Sequence, residues 1–125
     1  MTLDIGVKYD NQKPRMDLIP PEAMNELATI LTYGAGKYAD HNWRKGLHYS
    51  RVYAAALRHL LAFWSGENLD PESGLSHLSH ALCNVAFLVT YERTGTGTDD
   101  RFQYAKSRNF GDFIAEPFAK GDDHL

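Results

Sequence analysis

The chain has 125 residues, of which 43% are hydrophobic and 23% charged, and its formal net charge is −3. This size and composition predict one globular domain with a core of its own and exclude a disordered chain. The charge predicts no general attraction to a nucleic-acid polymer or an anionic membrane, and no apolar run is long enough to span a bilayer. The single cysteine, Cys83, cannot form an internal disulfide, which favours a cytoplasmic location.

Residues 1–19 mix charges with a proline and have no helical period, which predicts an irregular N-terminal arm. A first helix is predicted over 21–37, because two prolines followed by a glutamate are typical of a helix start. Glu22 and Glu26 lie one turn apart on this helix. They are expected to face solvent, although this helix must pack against the other helices of the domain.

A basic and aromatic loop is predicted over 37–50. Lysine and arginine hold phosphates by charge-assisted hydrogen bonds, and Tyr38 or Trp43 could stack on a base. The alternative for Trp43 is that it packs on the core, and both interpretations remain open at this point. The residues predicted to bind substrate, from this loop and the helix after it, are Lys37, Asn42, Trp43, Arg44 and Arg58.

A second helix is predicted over 50–65, with Ser50 as its N-cap and Gly66 after its end. His59 is expected at the edge of its apolar face. The residues predicted to form that core face are Val52, Ala56, Leu60 and Phe63.

A third helix is predicted over 71–92, because Asp70-Pro71-Glu72 combines a capping residue, a first-turn proline and a first-turn acid. Residues 74–91 contain no charged side chain, and a helix that is apolar nearly all round is usually buried on most sides. Its histidines are therefore not expected to face water. At helical spacing, one line of the surface carries His77, His80 and Asn84, and a separate apolar stripe carries Leu75, Leu78, Leu82, Val85 and Val89.

Three histidines are the candidate metal ligands: His59, His77 and His80. Imidazole binds divalent transition metals, and two ligands three residues apart on a helix point to the same side. The alternative is a packed or hydrogen-bonded group of histidines. The turn between the second and third helices also carries Glu67, Asp70 and Glu72, which either end and cap helices or supply oxygen ligands for Mg²⁺ or Mn²⁺.

The predicted fold class is all-α, a small bundle of three main helices in a single domain over 1–125. Its core spans 20–92, and an aromatic tail over 93–125 is expected to pack over the helices or a partner subunit. The nearly all-round apolar third helix further predicts a homodimer or homotetramer in which another subunit covers it.

Two segments carry a resemblance to a known family: KYDNQKPRMDLIPPEAMNELATILTYGAGKYADHNWRKG and RHLLAFWSGENLDPESGLSHLSHALCN. Over roughly residues 8–92 the chain resembles the dATP/dGTP diphosphohydrolase N-terminal domain of phage and bacterial proteins, most specifically in YGAGKY, HNWRKG and DPESGLSHLSHA. The resemblance implies an all-α nucleoside triphosphate pyrophosphohydrolase, similar to the MazG and dimeric dUTPase group. Such an enzyme removes pyrophosphate from a deoxynucleoside triphosphate with a divalent metal, and a phage-encoded one would act in the host cytoplasm.

One departure from the broader MazG-like group concerns its metal ligands. That group binds Mg²⁺ through E-x-x-E on one helix and E-x-x-D on the next, where this chain carries Ala56 and His59, then His77 and His80. A softer metal such as Mn²⁺, Co²⁺ or Zn²⁺ is one explanation. Acidic ligands supplied elsewhere, and loss of catalysis, are the others. The acidic residues considered are Glu22, Glu26, Asp70 and Glu72.

The leading hypothesis is therefore a metal-dependent hydrolase of a purine deoxynucleoside triphosphate, dATP or dGTP. Mg²⁺, Mn²⁺ or Co²⁺ is expected at the histidines, with Zn²⁺ as another candidate, and Glu26 is the predicted catalytic base. The alternative is a non-catalytic phage protein that binds or sequesters a nucleotide or a nucleotide signal. A third interpretation is a helical scaffold whose histidines bond only to one another.

Overall fold

A computed structural model describes residues 5–103 of the chain. It contains three α-helices, α1 over Pro21–Lys37, α2 over Tyr49–Trp64 and α3 over His77–Thr94. Two short 3-10 turns, Met16–Leu18 and Asn42–Lys45, precede α1 and α2. The described residues form isolated bridges but no β-strand. The all-α prediction is confirmed, and the predicted bounds of the first helix are met.

The third helix is the central one, because α1 and α2 both pack against it. The helices α2 and α3 run antiparallel, because Tyr49 stacks on Tyr91 at one end of the pair and His59 contacts His77 at the other. A cavity opens between α1 and α3, and α2 contributes to its lining. None of the helices in 5–103 is both long and apolar enough to cross a membrane.

The start of α3 differs from the prediction by six residues. Asp70 does not cap this helix: its carboxylate accepts hydrogen bonds from the backbone N–H and the hydroxyl of Ser73. Gly74 follows with a φ of +73°, which a helix does not accommodate. The cap is Ser76, whose hydroxyl accepts a hydrogen bond from the Leu78 N–H at 3.1 Å. The Asp-Pro-Glu signal therefore belongs to a closed turn before the helix.

The start of α2 is held by the segment that follows α3. Ser50 was predicted to be the N-cap, but His48 has that position and its side chain makes no capping bond. Instead the Asp100 carboxylate accepts from the Ser50 N–H at 2.9 Å and from the Ser50 hydroxyl at 2.5 Å. Gly97, at a φ of +84°, lets this segment approach closely, because a Cβ there would lie 2.9 Å from the Leu47 carbonyl oxygen.

The prediction for the tail can be compared with the structure only up to residue 103. Thr98 exchanges backbone hydrogen bonds with Leu47 and Tyr49, so the first residues after α3 do pack on the helical domain. Of the aromatic residues in the predicted tail, Phe102 is within the described residues. Four others lie outside them: Tyr104, Phe110, Phe113 and Phe118.

The buried core is small and follows α3. Tyr91 is completely buried, and its hydroxyl donates to the Trp43 carbonyl oxygen at 2.5 Å, which fixes the loop before α2.

Two of the four residues predicted for the core face of α2 are buried. Val52 and Ala56 are buried, whereas Leu60 and Phe63 are exposed, because α2 packs on α3 along one side only.

The Ser76 cap gives a prediction for stability. We expect Ser76→Ala to lower the free energy of unfolding by about 1 kcal/mol, because it leaves an N–H of the first turn of α3 without its partner. Urea unfolding followed by circular dichroism measures this change. Ser65→Ala is the matched control, because the Ser65 hydroxyl only donates to the Leu61 carbonyl near the end of α2. An equal loss in both variants would contradict the capping role.

Candidate active site

A cavity of about 880 Å³ lies between α1, the loop after it and α3, and α2 contributes Arg58 and His59 to its lining. All three predicted metal ligands, His59, His77 and His80, line it. The cavity therefore unites residues from separate parts of the sequence. Its lining also includes every predicted substrate-binding residue: Lys37, Asn42, Trp43, Arg44 and Arg58.

The three imidazoles touch one another where α2 faces the start of α3. The Nδ1 atoms of His59 and His77 lie 2.9 Å apart, a hydrogen-bond distance. The rings of His59 and His80 are stacked, with centroids 4.4 Å apart and planes inclined by 6°. His77 is buried and His80 nearly so, which confirms that the histidine line of α3 does not face water.

Glu67 orients the buried ring of His77. The Glu67 carboxylate lies 2.6 Å from His77 Nε2, which places the ring proton on that nitrogen. A neutral His77 then keeps its lone pair on Nδ1, the atom that faces His59. A carboxylate behind a histidine is the arrangement that fixes the tautomer of metal-binding imidazoles.

His80 is oriented by the turn before α3. Its Nε2 lies 2.7 Å from the Ser73 hydroxyl, which in turn donates to Asp70 at 3.0 Å. The Asp70 carboxylate is itself 3.7 Å from His80 Nε2. The turn that displaces the start of α3 thus brings an acidic side chain to the histidine cluster.

The best-placed group of metal ligands differs from the predicted set by one residue. His59, Asp70 and His77 each offer a ligand atom, and these atoms lie within 4.8 Å of one another. His80 is not part of that group, although it stacks on His59. Two imidazoles and one carboxylate form a donor set that suits a divalent transition metal and retains a hard oxygen for Mg²⁺. The residues present therefore fit a metal ion.

Burial controls the protonation of the cluster. It lowers the pKa of His59, and the neighbouring His80 and His77 lower it further. Burial also lowers the pKa of His80, against an opposing effect of Asp70. Burial alone would raise the pKa of Asp70, but hydrogen bonds from Ser73 and the nearby histidines hold it below its ordinary value. His59 and His80 are thus neutral and Asp70 is ionised near pH 7, the states that metal binding requires.

The cations at the cavity rim differ in their surroundings. Lys37 makes an exposed ion pair with Glu72 at 2.8 Å, which raises the pKa of the lysine. Arg44 donates through Nε to His41 Nδ1 at 3.1 Å. Arg58 projects from α2 one residue before His59, and its side chain is exposed. All three line the cavity.

The indole of Trp43 is already packed on two sides. It stacks on Phe87, with centroids 4.5 Å apart and planes inclined by 15°, and the Arg44 guanidinium carbon lies 4.5 Å from its centroid. Both contacts use the ring faces that a base would need. The structure thus favours the packing interpretation of Trp43. The other candidate, Tyr38, is exposed in the cavity wall, with Lys37 Nζ 5.4 Å from its ring centroid.

Glu26, the predicted catalytic base, lies away from this cavity. It is absent from the cavity lining, and its carboxylate accepts a hydrogen bond from the buried Ser79 hydroxyl at 2.9 Å. Sequence reasoning gave Asp70 mainly a capping role and did not anticipate Glu67 or Ser73 as partners of the histidines. The signal that could have found them is the short spacing of the 67–76 turn, which folds back on the first residues of α3.

Comparisons with known proteins identify the family to which the chain is similar. The family model described as dATP/dGTP diphosphohydrolase, N-terminal, matches residues 4–101. A relative named dATP/dGTP diphosphohydrolase, from Salmonella phage PMBT28, is 34% identical over 96 residues, which cover 77% of this chain and 33% of the relative. The chain thus spans about a third of the relative's length. No solved structure matches the chain significantly.

The lowered histidine pKa values predict a pH-dependent stability of the metal-free protein. In the unfolded chain these imidazoles titrate near 6.5, so below that pH the unfolded state binds more protons than the native state. The stability that these neutral imidazoles contribute is fully present above pH 6.5. It is lost as the pH falls towards their pKa values in the native state. We expect the free energy of unfolding, measured with urea in chelator, to decline between about pH 7.5 and pH 5.5. The double variant His59→Gln, His80→Gln should decline less, and an unchanged slope would contradict this origin.

Proposed function

Because this chain belongs to the dATP/dGTP diphosphohydrolase N-terminal family, we propose that it hydrolyses a purine deoxynucleoside triphosphate, dATP or dGTP, to the monophosphate and pyrophosphate. One observation carries the proposal: a single cavity combines a metal-ligand group, a neutral imidazole and three cationic side chains. That combination suits phosphoryl chemistry, in which charge neutralisation and positioning provide most of the rate. The base preference is part of the proposal and not of the family assignment.

The residues that would hold a divalent metal are His59, Asp70 and His77. Their ligand atoms lie within 4.8 Å of one another, and Glu67 keeps His77 in the tautomer whose Nδ1 carries a lone pair. When bound, Mg²⁺, Mn²⁺, Co²⁺ or Zn²⁺ supplies Lewis acidity and positive charge at the phosphoryl group. Imidazole ligands favour the softer ions of this set.

The cations at the rim would bind the phosphate chain. Arg58 lines the same cavity as the histidines, so its guanidinium would bind phosphoryl oxygens there. Lys37 can exchange its exposed partner Glu72 for a phosphate, since exposed ion pairs contribute little to stability. Arg44 would keep its contact with Trp43 and donate its remaining N–H groups to the leaving pyrophosphate.

His80 is the residue we assign as the proton acceptor, in place of Glu26. It lines the cavity, it lies outside the three-ligand group, and burial keeps it neutral near pH 7. In the proposed step a water oxygen bonds to the α-phosphorus, the bond from that phosphorus to the α,β-bridging oxygen breaks, and His80 takes the water proton. Ser73 and Asp70 hold the ring and stabilise its protonated form.

Measurements of turnover and of metal binding distinguish the proposed metal ligands from the proposed proton acceptor. The purified protein is incubated with deoxy- and ribonucleoside triphosphates and Mg²⁺, Mn²⁺ or Co²⁺, and the products are resolved by chromatography. We expect a monophosphate and pyrophosphate from dATP or dGTP. His77→Ala should lose both metal binding and turnover, whereas His80→Gln should retain the metal and lose roughly 100-fold or more in kcat. His48→Ala, a histidine absent from the cavity lining, is the matched control and should retain both.

Two results would contradict the proposal. Full activity in His77→Ala would remove the histidine cluster from the reaction. Nucleotides recovered intact with every metal would refute hydrolysis by this chain, and tight nucleotide binding in excess chelator would then identify a nucleotide-binding protein.

A further inference from the structure

Asn84 continues the histidine line of α3 along the cavity. His77, His80, Asn84 and Phe87 recur at three- and four-residue spacing, and all of them line the same cavity. With a rise of about 1.5 Å per residue, Asn84 lies roughly 10 Å along the helix axis from His77. The Asn84 side chain is therefore placed for a different part of a bound nucleotide than the phosphates proposed to lie at the histidines.

The wall that α3 gives to the cavity changes in character beyond the histidines. The α3 residues that line this part are Cys83, Asn84 and Phe87, and Phe87 stacks on Trp43 with ring centroids 4.5 Å apart. None of these α3 side chains is charged. An apolar wall that carries a single amide suits a nucleobase, because a base has apolar faces and an edge that needs hydrogen bonds.

A hydrogen bond to its own helix fixes the Asn84 amide. Asn84 Nδ2 donates to the His80 carbonyl oxygen at 2.9 Å, and a carbonyl oxygen only accepts, so the nitrogen must be the atom that faces it. One N–H and the acceptor Oδ1 are left, and residues 5–103 provide no partner for either. Asn42 also lines the cavity, but no hydrogen bond within the described part of the chain fixes its amide.

We propose that Asn84 recognises the base of the nucleotide and selects adenine over guanine. The free N–H and Oδ1 of the amide form a donor and an acceptor side by side. Adenine has the complementary pair, a 6-amino donor next to a ring-nitrogen acceptor, on both of its edges. Guanine has two acceptors, O6 and N7, on one edge, so the amide matches only its other edge. This inference rests on the proposed function, because it takes a purine deoxynucleoside triphosphate as the ligand.

Equilibrium binding of two non-hydrolysable nucleotides tests the selection. The α,β-methylene analogues of dATP and dGTP are titrated calorimetrically into the full chain with Mn²⁺. We expect the wild-type protein to bind the dATP analogue roughly 10- to 100-fold more tightly, since a matched amide–base pair discriminates by that order. Asn84→Leu should abolish the difference between the two Kd values.

Thr90→Val is the matched control. The Thr90 hydroxyl also donates to the carbonyl oxygen four residues earlier on α3, at 2.9 Å, but Thr90 is absent from the cavity lining. This variant should therefore keep the wild-type ratio of Kd values. If Asn84→Leu lowers the helical circular dichroism, the nearly isosteric Asn84→Asp decides. Its carboxylate has no N–H for a ring nitrogen of adenine but accepts from N1–H and the 2-amino group of guanine, so the preference should move to the dGTP analogue.

Several outcomes would overturn the inference. They are a wild-type protein that binds the dGTP analogue at least as tightly, a preference that persists in Asn84→Leu with normal helical content, and a preference lost in Asn42→Leu alone. Binding of neither analogue would overturn both this inference and the proposed function.

Turnover of dATP and dGTP, measured on the same variants, distinguishes the two proposals. Hydrolysis of both nucleotides with unchanged relative rates in Asn84→Leu would overturn the role of Asn84 and leave the proposed function standing. A preference for the dATP analogue that depends on Asn84, in a protein that hydrolyses neither nucleotide, would support base recognition and refute the hydrolysis.

Discussion

The contact between His59 and His77 is the interaction on which the site depends. Two imidazole nitrogens 2.9 Å apart must share a proton or a cation, because two lone pairs facing each other would repel. Glu67 fixes the tautomer of His77, because its carboxylate accepts a hydrogen bond from the other ring nitrogen, Nε2. The pairing of α2 with α3 brings the two rings together. The chain thereby concentrates metal-binding groups at one end of its cavity.

The turn before α3 also contacts the histidine cluster, through Asp70 and Ser73. A helix that began at Pro71 would allow the same Asp70 contact, because an N-cap carboxylate accepts from the backbone N–H three residues later. The φ of +73° at Gly74 is what breaks such a helix. Instead Asp70, Ser73 and Gly74 close a turn that presents a carboxylate to the cluster. The local cost is a helix shorter by six residues. The turn also places a carboxylate, a donor that hard divalent ions prefer, beside the histidines.

The sequence pattern predicted the helices better than their contacts. Helical period and breakers located all three helices, and the uncharged run after Gly74 correctly indicated that His77 and His80 are buried. The start of α3 was predicted wrongly because Asp70 has the chemistry of an N-cap. In the structure Asp70 belongs to the closed turn, and Ser76 is the N-cap. The position of Glu26 outside the cavity lining could not be predicted from sequence, because it depends on how α1 docks on α3. Trp43 needed the docked loop, since Phe87 and Arg44 reach its ring only in the folded chain.

The central claim is that His59, Asp70 and His77 hold the metal that acts on a nucleotide triphosphate chain. A crystal structure of the protein with Mn²⁺ and a non-hydrolysable dATP analogue, examined in an anomalous difference map, tests it most directly. The account predicts a manganese peak bonded to these three side chains, with phosphate oxygens between it and Arg58. A peak at Glu22 and Glu26, or a nucleotide bound with no metal at the histidines, would contradict it.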